Sequence, residues 1–327
     1  MLLPLAGWDP GRPVNFIEEP IDSAVLIDMQ NYTMNAKEWG LLVLISLAWG
    51  LSFFFIEIAL RELGSFTVVF YRIGLAAVIV TAVMYAGGWR LPADILSWRR
   101  FFILGTFNNF VPFALISWGQ IHIDSGLASV LNATTPMFSL VMAHYLTLDE
   151  RMTKSRVAGI LLGITGIAIL VGPEALYGVS SNALGQIAIL GAALSYASGG
   201  IYARQLNEMP VMVAMSGTLL AATLMSVPAV LMFEYPLKIS MQVPTIGALL
   251  GMSVLGTAFA YMLYFHVIRA VGATNTMLVT FLVPVTAIFM GVFVLNESLS
   301  GHAVLGMFVI FTGLISVDGR LLRKFAK

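Results

Sequence analysis

Long and nearly continuous apolar runs alternate with short polar connectors along the chain. A helix needs about 20 apolar residues to cross the hydrocarbon core of a bilayer. Ten segments satisfy this requirement: 39–59, 66–87, 101–119, 126–146, 156–172, 184–204, 211–232, 245–267, 273–295 and 302–318. Because these runs do not alternate and far exceed the roughly 10-residue strands of a membrane barrel, the pattern predicts ten transmembrane helices.

The pattern also repeats itself at a spacing of 147 residues. The matched residues are Pro136, Glu150, Gly159 and Gly166 in the first copy and Pro284, Glu297, Gly306 and Gly313 in the second, with the prolines one position out of step. The same shift places Trp49 over Tyr196. We therefore expect two copies, residues 39–172 and 184–318.

Ten helices in two copies give five helices for each copy. Because five is odd, the second copy enters the membrane from the opposite side. The fold class predicted is an all-α integral membrane protein, with ten transmembrane helices arranged as a 5+5 inverted repeat. Inverted repeats are characteristic of transporters, in which the two halves open alternately to each side.

Composition agrees with a membrane protein and narrows the function. The chain is 59% apolar and only 10% charged, with a mean hydropathy of +0.90, whereas soluble domains have roughly 25% charged residues. Net charge is zero, which gives no basic surface for nucleic acid. There is no cysteine, so disulfides, zinc–thiolate sites and thiol catalysis are excluded. We expect no metal and no cofactor.

Charge in the connectors predicts orientation. One side collects 14 Lys and Arg residues, against only Arg61 and Lys238 on the other. The positive-inside rule then places both termini in the cytoplasm of a bacterial cytoplasmic membrane. Residues 1–38 are interpreted as a cytoplasmic tail and 319–327 as a basic cytoplasmic tail. Met29 or Met34 could equally be the true start of the chain.

Neutral polar and aromatic residues at mid-span depth are the candidates for a substrate cavity. They are Trp49, Ser52, Asn108, Asn109, Asn132, Tyr196, Tyr261 and Thr280, with further hydroxyl groups at Thr257 and Tyr264. Amides and hydroxyls can bind a polar or zwitterionic solute without burying an uncompensated charge. The alternative role of such residues is hydrogen bonding between helices.

Two charged residues lie inside the predicted spans, toward one end. Glu57 and Arg72 could pair with each other, Arg72 could extend to the interface, or both could form an electrostatic filter at an outer gate. Pro136 and Pro284 correspond in the repeat and are hinge candidates, because a proline removes one helical hydrogen bond.

These motifs together resemble the EamA-type exporters of the drug/metabolite transporter (DMT) superfamily. The similarity is carried by residues 49–55 (WGLSFFF), residues 70–77 (FYRIGLAA) and the duplicated Pro–Glu–Gly–Gly series. The resemblance implies helices around a central substrate cavity with alternating access, and export of amino acids, other metabolites or toxic compounds. The chain departs from the family in Glu57, where a basic residue is common, and in its longer leader.

The function expected is therefore that of a secondary transporter, not an enzyme. It would export a small neutral, zwitterionic or amphipathic metabolite, amino-acid-like or drug-like, down its gradient. No phosphate-binding loop for nucleotide hydrolysis is present. The alternatives are a proton-coupled transporter of a sugar or related metabolite, and a membrane partner protein without transport. Expected partners are the solute and the lipid bilayer, with the protein a monomer or homodimer.

Overall fold

The computed structural model describes residues 35–146, 154–171, 181–235, 241–276 and 278–318, and these ranges contain helices and no strand. The predicted cytoplasmic tails lie outside the described residues, except for residues 35–38. Glu150 of the repeat, Met29 and Met34 lie outside them as well.

The helices are numbered α1 to α10 in chain order. They are α1 (Ala36–Leu60), α2 (Ser65–Ala86), α3 (Ile95–Gly105, Thr106–Phe110 and Val111–Gly119), α4 (Ser125–Asn132 and Thr135–Leu146), α5 (Lys154–Val171), α6 (Ser181–Tyr202, then Ala203–Leu206), α7 (Val211–Phe233), α8 (Val243–Leu250, Gly251–Phe259 and Ala260–Thr276), α9 (Val279–Val294) and α10 (Gly301–Asp318).

Within the described ranges, seven of these helices are long and apolar enough to cross a membrane: α1, α2, α3, α4, α6, α7 and α8. Three shorter apolar helices cover Val157–Leu170 in α5, Val279–Val294 in α9 and Gly301–Ser316 in α10. The prediction of a helical membrane protein is thus confirmed at the level of fold class.

Three helix boundaries differ by six residues or more from those predicted: the start of α3, the end of α8 and the start of α9. α3 begins at Ile95, six residues before the predicted apolar run, because Asp94 caps it by accepting a hydrogen bond from the Ser97 N–H (2.8 Å). α8 continues to Thr276, so α9 begins at Val279 rather than at residue 273. Residues 267–276 contain no proline, and the helix extends through them.

Three glutamates cap helices that are distant in the sequence, at one end of the bundle that we name the capped face. Each carboxylate accepts hydrogen bonds from the first turn of another helix, where negative charge and unpaired N–H groups attract each other. The donors are the Phe66 and Thr67 N–H groups to Glu234 (2.9 and 2.7 Å), the Gln242 N–H and Thr245 hydroxyl to Glu62 (3.0 and 2.6 Å), and the Ser125 N–H and hydroxyl and the Gly126 N–H to Glu297 (2.9, 2.6 and 3.1 Å).

Two helices contain a π-helical segment near their middle. The segments are Thr106–Phe110 in α3 and Gly251–Phe259 in α8, and they overlap under the 147-residue shift. Pro112 follows the first segment and provides no N–H for the helical ladder. In the second, the Thr257 hydroxyl donates to the Met252 carbonyl five residues earlier (3.0 Å). π-segments are rare and often occur at functional sites.

The helices pack around two hydrophobic cores. The larger core draws on α1, α4, α9 and α10 and on parts of α6 and α8, and includes Leu42, Ile56 and Ile310. The smaller core draws mainly on α2, α3 and α7, and includes Ile73, Phe101 and Leu219. The two cores adjoin at Tyr196 of α6, which packs against both.

Glycines allow α5 and α10 to pack closely. A Cβ atom at Gly306 would meet Leu170 Cβ at 2.6 Å and the Gly166 carbonyl at 2.8 Å. At Gly313 it would meet the Gly159 carbonyl at 2.7 Å. Backbone therefore contacts backbone along this interface, which is typical of small-residue packing in membranes.

Candidate functional site

Polar and aromatic side chains from five helices meet where the two cores adjoin. Tyr196 of α6 packs against both cores, Trp49 of α1 and Tyr264 of α8 against the larger, and Tyr261 of α8 against the smaller. Each of these four rings is only half-buried. Together with Arg72, Asn109, Phe113 and Thr257, they form what we call the central cluster.

Edge-to-face and tilted contacts order the rings of the central cluster. The Trp49 ring lies 6.4 Å from Tyr261 at 86° and 5.3 Å from Tyr264 at 42°, measured between centroids. Phe113 lies 6.4 Å from Tyr196 at 69°. Such geometries are favourable for aromatic pairs, and they hold rings from different helices at fixed angles.

Asn109 and Tyr261 connect α3 to α8 inside the cluster. The Tyr261 hydroxyl donates a hydrogen bond to Asn109 Oδ1 at 3.3 Å. Asn109 lies within the π-segment of α3 and is 1% exposed. The π-segment therefore presents its amide inward, toward the cluster.

Arg72 belongs to the central cluster, which corrects the interpretation of this residue from the sequence. Its Nε–H donates to the Thr257 hydroxyl at 3.2 Å, and its guanidinium carbon lies 3.8 Å above the centroid of Phe113. Arg72 is 6% exposed. It neither extends to the interface nor pairs with Glu57. The polar residues at the centre of the bundle are consequently not all neutral. The Cα of Arg72 lies toward one end of α2, but its long side chain extends inward and places the charge at the centre.

Glu57 lies instead near the capped face. The charges that act on it are those of Glu297, Arg61 and Asp124. None of these belongs to the central cluster. Pairing with Arg72 was one of the alternatives that the sequence left open, and these contacts do not include it.

Ser52, Asn108 and Asn132 make their described contacts outside the cluster. The Ser52 hydroxyl donates to the Ala48 carbonyl of its own helix (3.1 Å) and packs against Gly256. Asn108 packs against Gly199, where a Cβ would lie 3.2 Å from it. Asn132 Oδ1 is buried without a hydrogen-bond partner among the described residues. Thr280 is half-buried near the start of α9.

The two hinge candidates differ in structure although they match in sequence. Pro136 follows an interruption of α4 at residues 133–134, where the Thr134 and Thr135 hydroxyls bond to the Leu131 and Asn132 carbonyls (2.6 and 2.7 Å). Pro284 lies buried within the continuous helix α9. Movement at either proline stays a prediction.

Phe113 is the member of the cluster that sequence reasoning missed. An apolar residue within an apolar span carries no signal of its own, and only the adjacent Pro112 marks the position. Among the described residues, no group of three His, Asp or Glu side chains is placed to hold a metal ion.

Comparison with known proteins identifies the family. A model of the EamA-like transporter family matches residues 38–172 and again residues 183–317. The chain belongs to this family. It is thus a multi-pass membrane protein of the drug/metabolite transporter type, and the resemblance inferred from the motifs is confirmed.

Relatives within the EamA-like family are distant. The chain is 22% identical to the uncharacterized transporter YoaV of Bacillus subtilis (strain 168), over 84% of this chain and 94% of the relative. It is 25% identical to a probable amino-acid metabolite efflux pump of Escherichia coli (strain K12), over 90% of this chain and 99% of the relative. A solved crystal structure with 16% identity has a TM-score of 0.65, covering 90% of this chain and all of the other, and shows the fold alone.

Proposed function

We propose that the protein is a secondary transporter of the bacterial cytoplasmic membrane, which exports a small neutral, zwitterionic or amphipathic metabolite by alternating access. The central cluster is the observation that carries this proposal. Half-buried rings and a buried amide from different helices lie where the two cores adjoin. A ligand site needs such an apolar surface with a few convergent polar groups.

Reciprocal helix contacts support a 5+5 inverted repeat. α1 contacts α8 and α9, while α6, its counterpart in the second copy, contacts α3 and α4. α2 contacts α7, and α5 contacts α10. A two-fold axis generates reciprocal pairs of this kind, and inverted repeats allow two halves to exchange conformations.

The membrane arrangement follows from the same repeat. We propose that α5, α9 and α10 also cross the bilayer, which gives ten spans and two cytoplasmic termini. The split of 14 basic residues to two supports this orientation. The capped face then lies outside the cytoplasm.

Amino-acid-like solutes are the first class to test, because a relative over almost its full length is named a probable amino-acid metabolite efflux pump. Cells that overexpress the protein should resist a toxic amino acid or metabolite analogue in a resistance screen. Trp49→Ala should abolish that resistance, because it removes a ring that contacts Tyr261 and Tyr264. The matched control is Trp39→Ala, since Trp39 is exposed at the start of α1.

Membrane levels of both variants must equal that of the unaltered protein. If no analogue gives resistance, or if Trp49→Ala and Trp39→Ala behave alike, the proposed site is wrong. Transport into inverted vesicles, with and without an imposed pH gradient, separates facilitated movement from proton antiport. We expect transport without the gradient, and a strict requirement for it would establish antiport.

A further inference from the structure

We propose that Arg72 binds the carboxylate of the transported solute, so that the substrate class is small organic acids with an apolar or aromatic body. This inference rests on the proposed function, because it assigns the chemistry of the same site. It goes beyond that function in requiring an anionic group and in naming the side chain that receives it.

The charge of Arg72 lacks a compensating partner within the protein. It forms no ion pair with any carboxylate in the described chain, and its contacts there are the Thr257 hydroxyl and the Phe113 ring. A buried charge is costly unless it is paired and hydrogen-bonded. Neither a hydroxyl nor a ring neutralises a guanidinium, so an anion from outside the described structure would complete the site.

The free donors have the geometry that a carboxylate requires. Of the five N–H groups of the guanidinium, only Nε–H has a hydrogen-bond partner among the described residues. Phe113 covers one face of the planar group and leaves its edge free. The two terminal nitrogens can therefore donate in parallel to both oxygens of a carboxylate, the bidentate arrangement that arginine favours.

Neither terminal nitrogen is among the sealed, unpartnered side-chain atoms of the described chain, which include Asn132 Oδ1 and the Thr218 hydroxyl. Arg72 retains 6% of its surface although it lies inside the bundle. Asn109 Nδ2 likewise has no described hydrogen-bond partner, and provides a further donor near the same position.

The surroundings define the rest of the solute. Trp49, Tyr196, Tyr261 and Tyr264 present ring surfaces, which suit an apolar or aromatic body. Ring faces also attract an ammonium group, so zwitterionic amino acids fall within the class. The repeat supports a role in binding rather than in the scaffold, because the counterpart of Arg72 is the fully buried Leu219.

Paired probes that differ only in charge test the inference. Purified full-length protein is melted with benzoate or benzamide, with isovalerate or isovaleramide, and with N-acetyl-L-phenylalanine or its amide. We expect at least one acid to raise the melting temperature more than its amide does. Arg72→Gln should weaken the binding of that acid by roughly 10- to 100-fold, which is the contribution of a charge-assisted hydrogen bond. The affinity of Arg72→Lys for the acid should lie between those of the unaltered protein and Arg72→Gln, because an ammonium group lacks the two parallel N–H donors of a guanidinium.

The matched control is Arg99→Gln, which makes the same change at an exposed position of α3 and should keep the preference for acids. The inference is overturned if no acid exceeds its amide, if Arg72→Gln keeps the preference, or if chloride or phosphate at equal concentration gives the same shift. The probe comparison on the unaltered protein decides the matter even if Arg72→Gln does not fold.

Transport in proteoliposomes separates this inference from the proposed function. Uptake of amides with no preference for acids would leave a transporter in place and overturn the role of Arg72. Acid binding that depends on Arg72, without uptake of any probe, would support the carboxylate site and contradict the proposed transport.

Discussion

Two aspartates that precede helices experience opposite electrostatic surroundings. Partial burial, and then the charge of Glu297, raise the pKa of Asp124 above its usual value. At Asp94, burial opposes ionisation, but hydrogen bonds from the Ser97 N–H and hydroxyl outweigh it and lower the pKa. Both residues lie in connectors, outside the helices that they precede.

Asp124→Asn should stabilise the protein at neutral pH. Because the folded pKa of Asp124 exceeds the unfolded one, its carboxyl group contributes stability when protonated, below its ordinary pKa of 3.8. This contribution is lost as the pH rises through the folded pKa. The gain should be at most about 0.5 kcal/mol, as for other surface changes, and should vanish toward pH 4 in melting curves of the purified protein.

Asp94→Asn is the control of opposite sign. Its lowered pKa means that ionised Asp94 stabilises the fold above pH 3.8, and that this contribution is lost as the pH falls through the folded pKa. The variant should therefore melt lower than the unaltered protein at pH 7. Equal pH profiles for the two variants would contradict both assignments.

Arg72 shows why sequence depth does not locate a charge. Counting residues from the helix end gives the depth of its Cα, but the side chain extends inward to Thr257 in the middle of α8. The partner ring, Phe113, comes from another helix with no polar signal. Residue type and depth therefore predicted much of the cluster, including Trp49 and Tyr261, but not the direction in which its cation points.

At the scale of helices, backbone interruptions were less predictable than spans. Apolar length predicts α1 to within three residues and α2 to within one, because each is a single helix between polar connectors. No proline in the sequence indicates the π-segment of α8. Pro284 would indicate an interruption of α9, but that helix is continuous. Packing between helices decides these features, and a single-helix pattern does not contain that information.

Gly306→Ala should destabilise the protein by about 1–3 kcal/mol, the cost of overpacking a tight interface. The new methyl group would meet Leu170 and the Gly166 carbonyl, and these backbones cannot both move away without separating α5 from α10. Melting of the purified variant provides the measurement.

Gly247→Ala provides the matched control. No atom lies within 4 Å of a Cβ at Gly247, and alanine is favoured over glycine in a helix by up to about 1 kcal/mol. This variant should melt at the same temperature as the unaltered protein or higher. A loss equal to that of Gly306→Ala would show that the close α5–α10 contact is not the cause.

For the whole molecule, apolar length and composition predicted the helical membrane fold. The family model matches the chain at residues 38–172 and again at residues 183–317. The number of transmembrane crossings has less support than the helical membrane fold has. Seven helices are long enough to span, while α5, α9 and α10 are shorter in their described parts. Ten spans require that each short helix also crosses, and α5 decides the orientation of everything after it.

Single-cysteine labelling distinguishes the arrangements, because the chain has no cysteine of its own. Ala93→Cys, Glu208→Cys and Ser298→Cys each occupy an exposed connector. With ten spans, an impermeant maleimide should label Ser298→Cys in intact cells, and should label Ala93→Cys and Glu208→Cys only after the membrane is opened.

Labelling at position 208 distinguishes the ten-span arrangement from the seven-span arrangement. If α5 crosses the membrane, six spans precede this residue, which places it on the side of Ala93. If only the seven long helices cross, five spans precede it and it lies opposite Ala93, whereas Ser298 stays outside in both cases. Labelling of Glu208→Cys in intact cells would therefore show that α5 does not cross, so that the first copy has an even number of spans. Without that odd number the two halves are not inverted, and the structural basis for alternating access is lost.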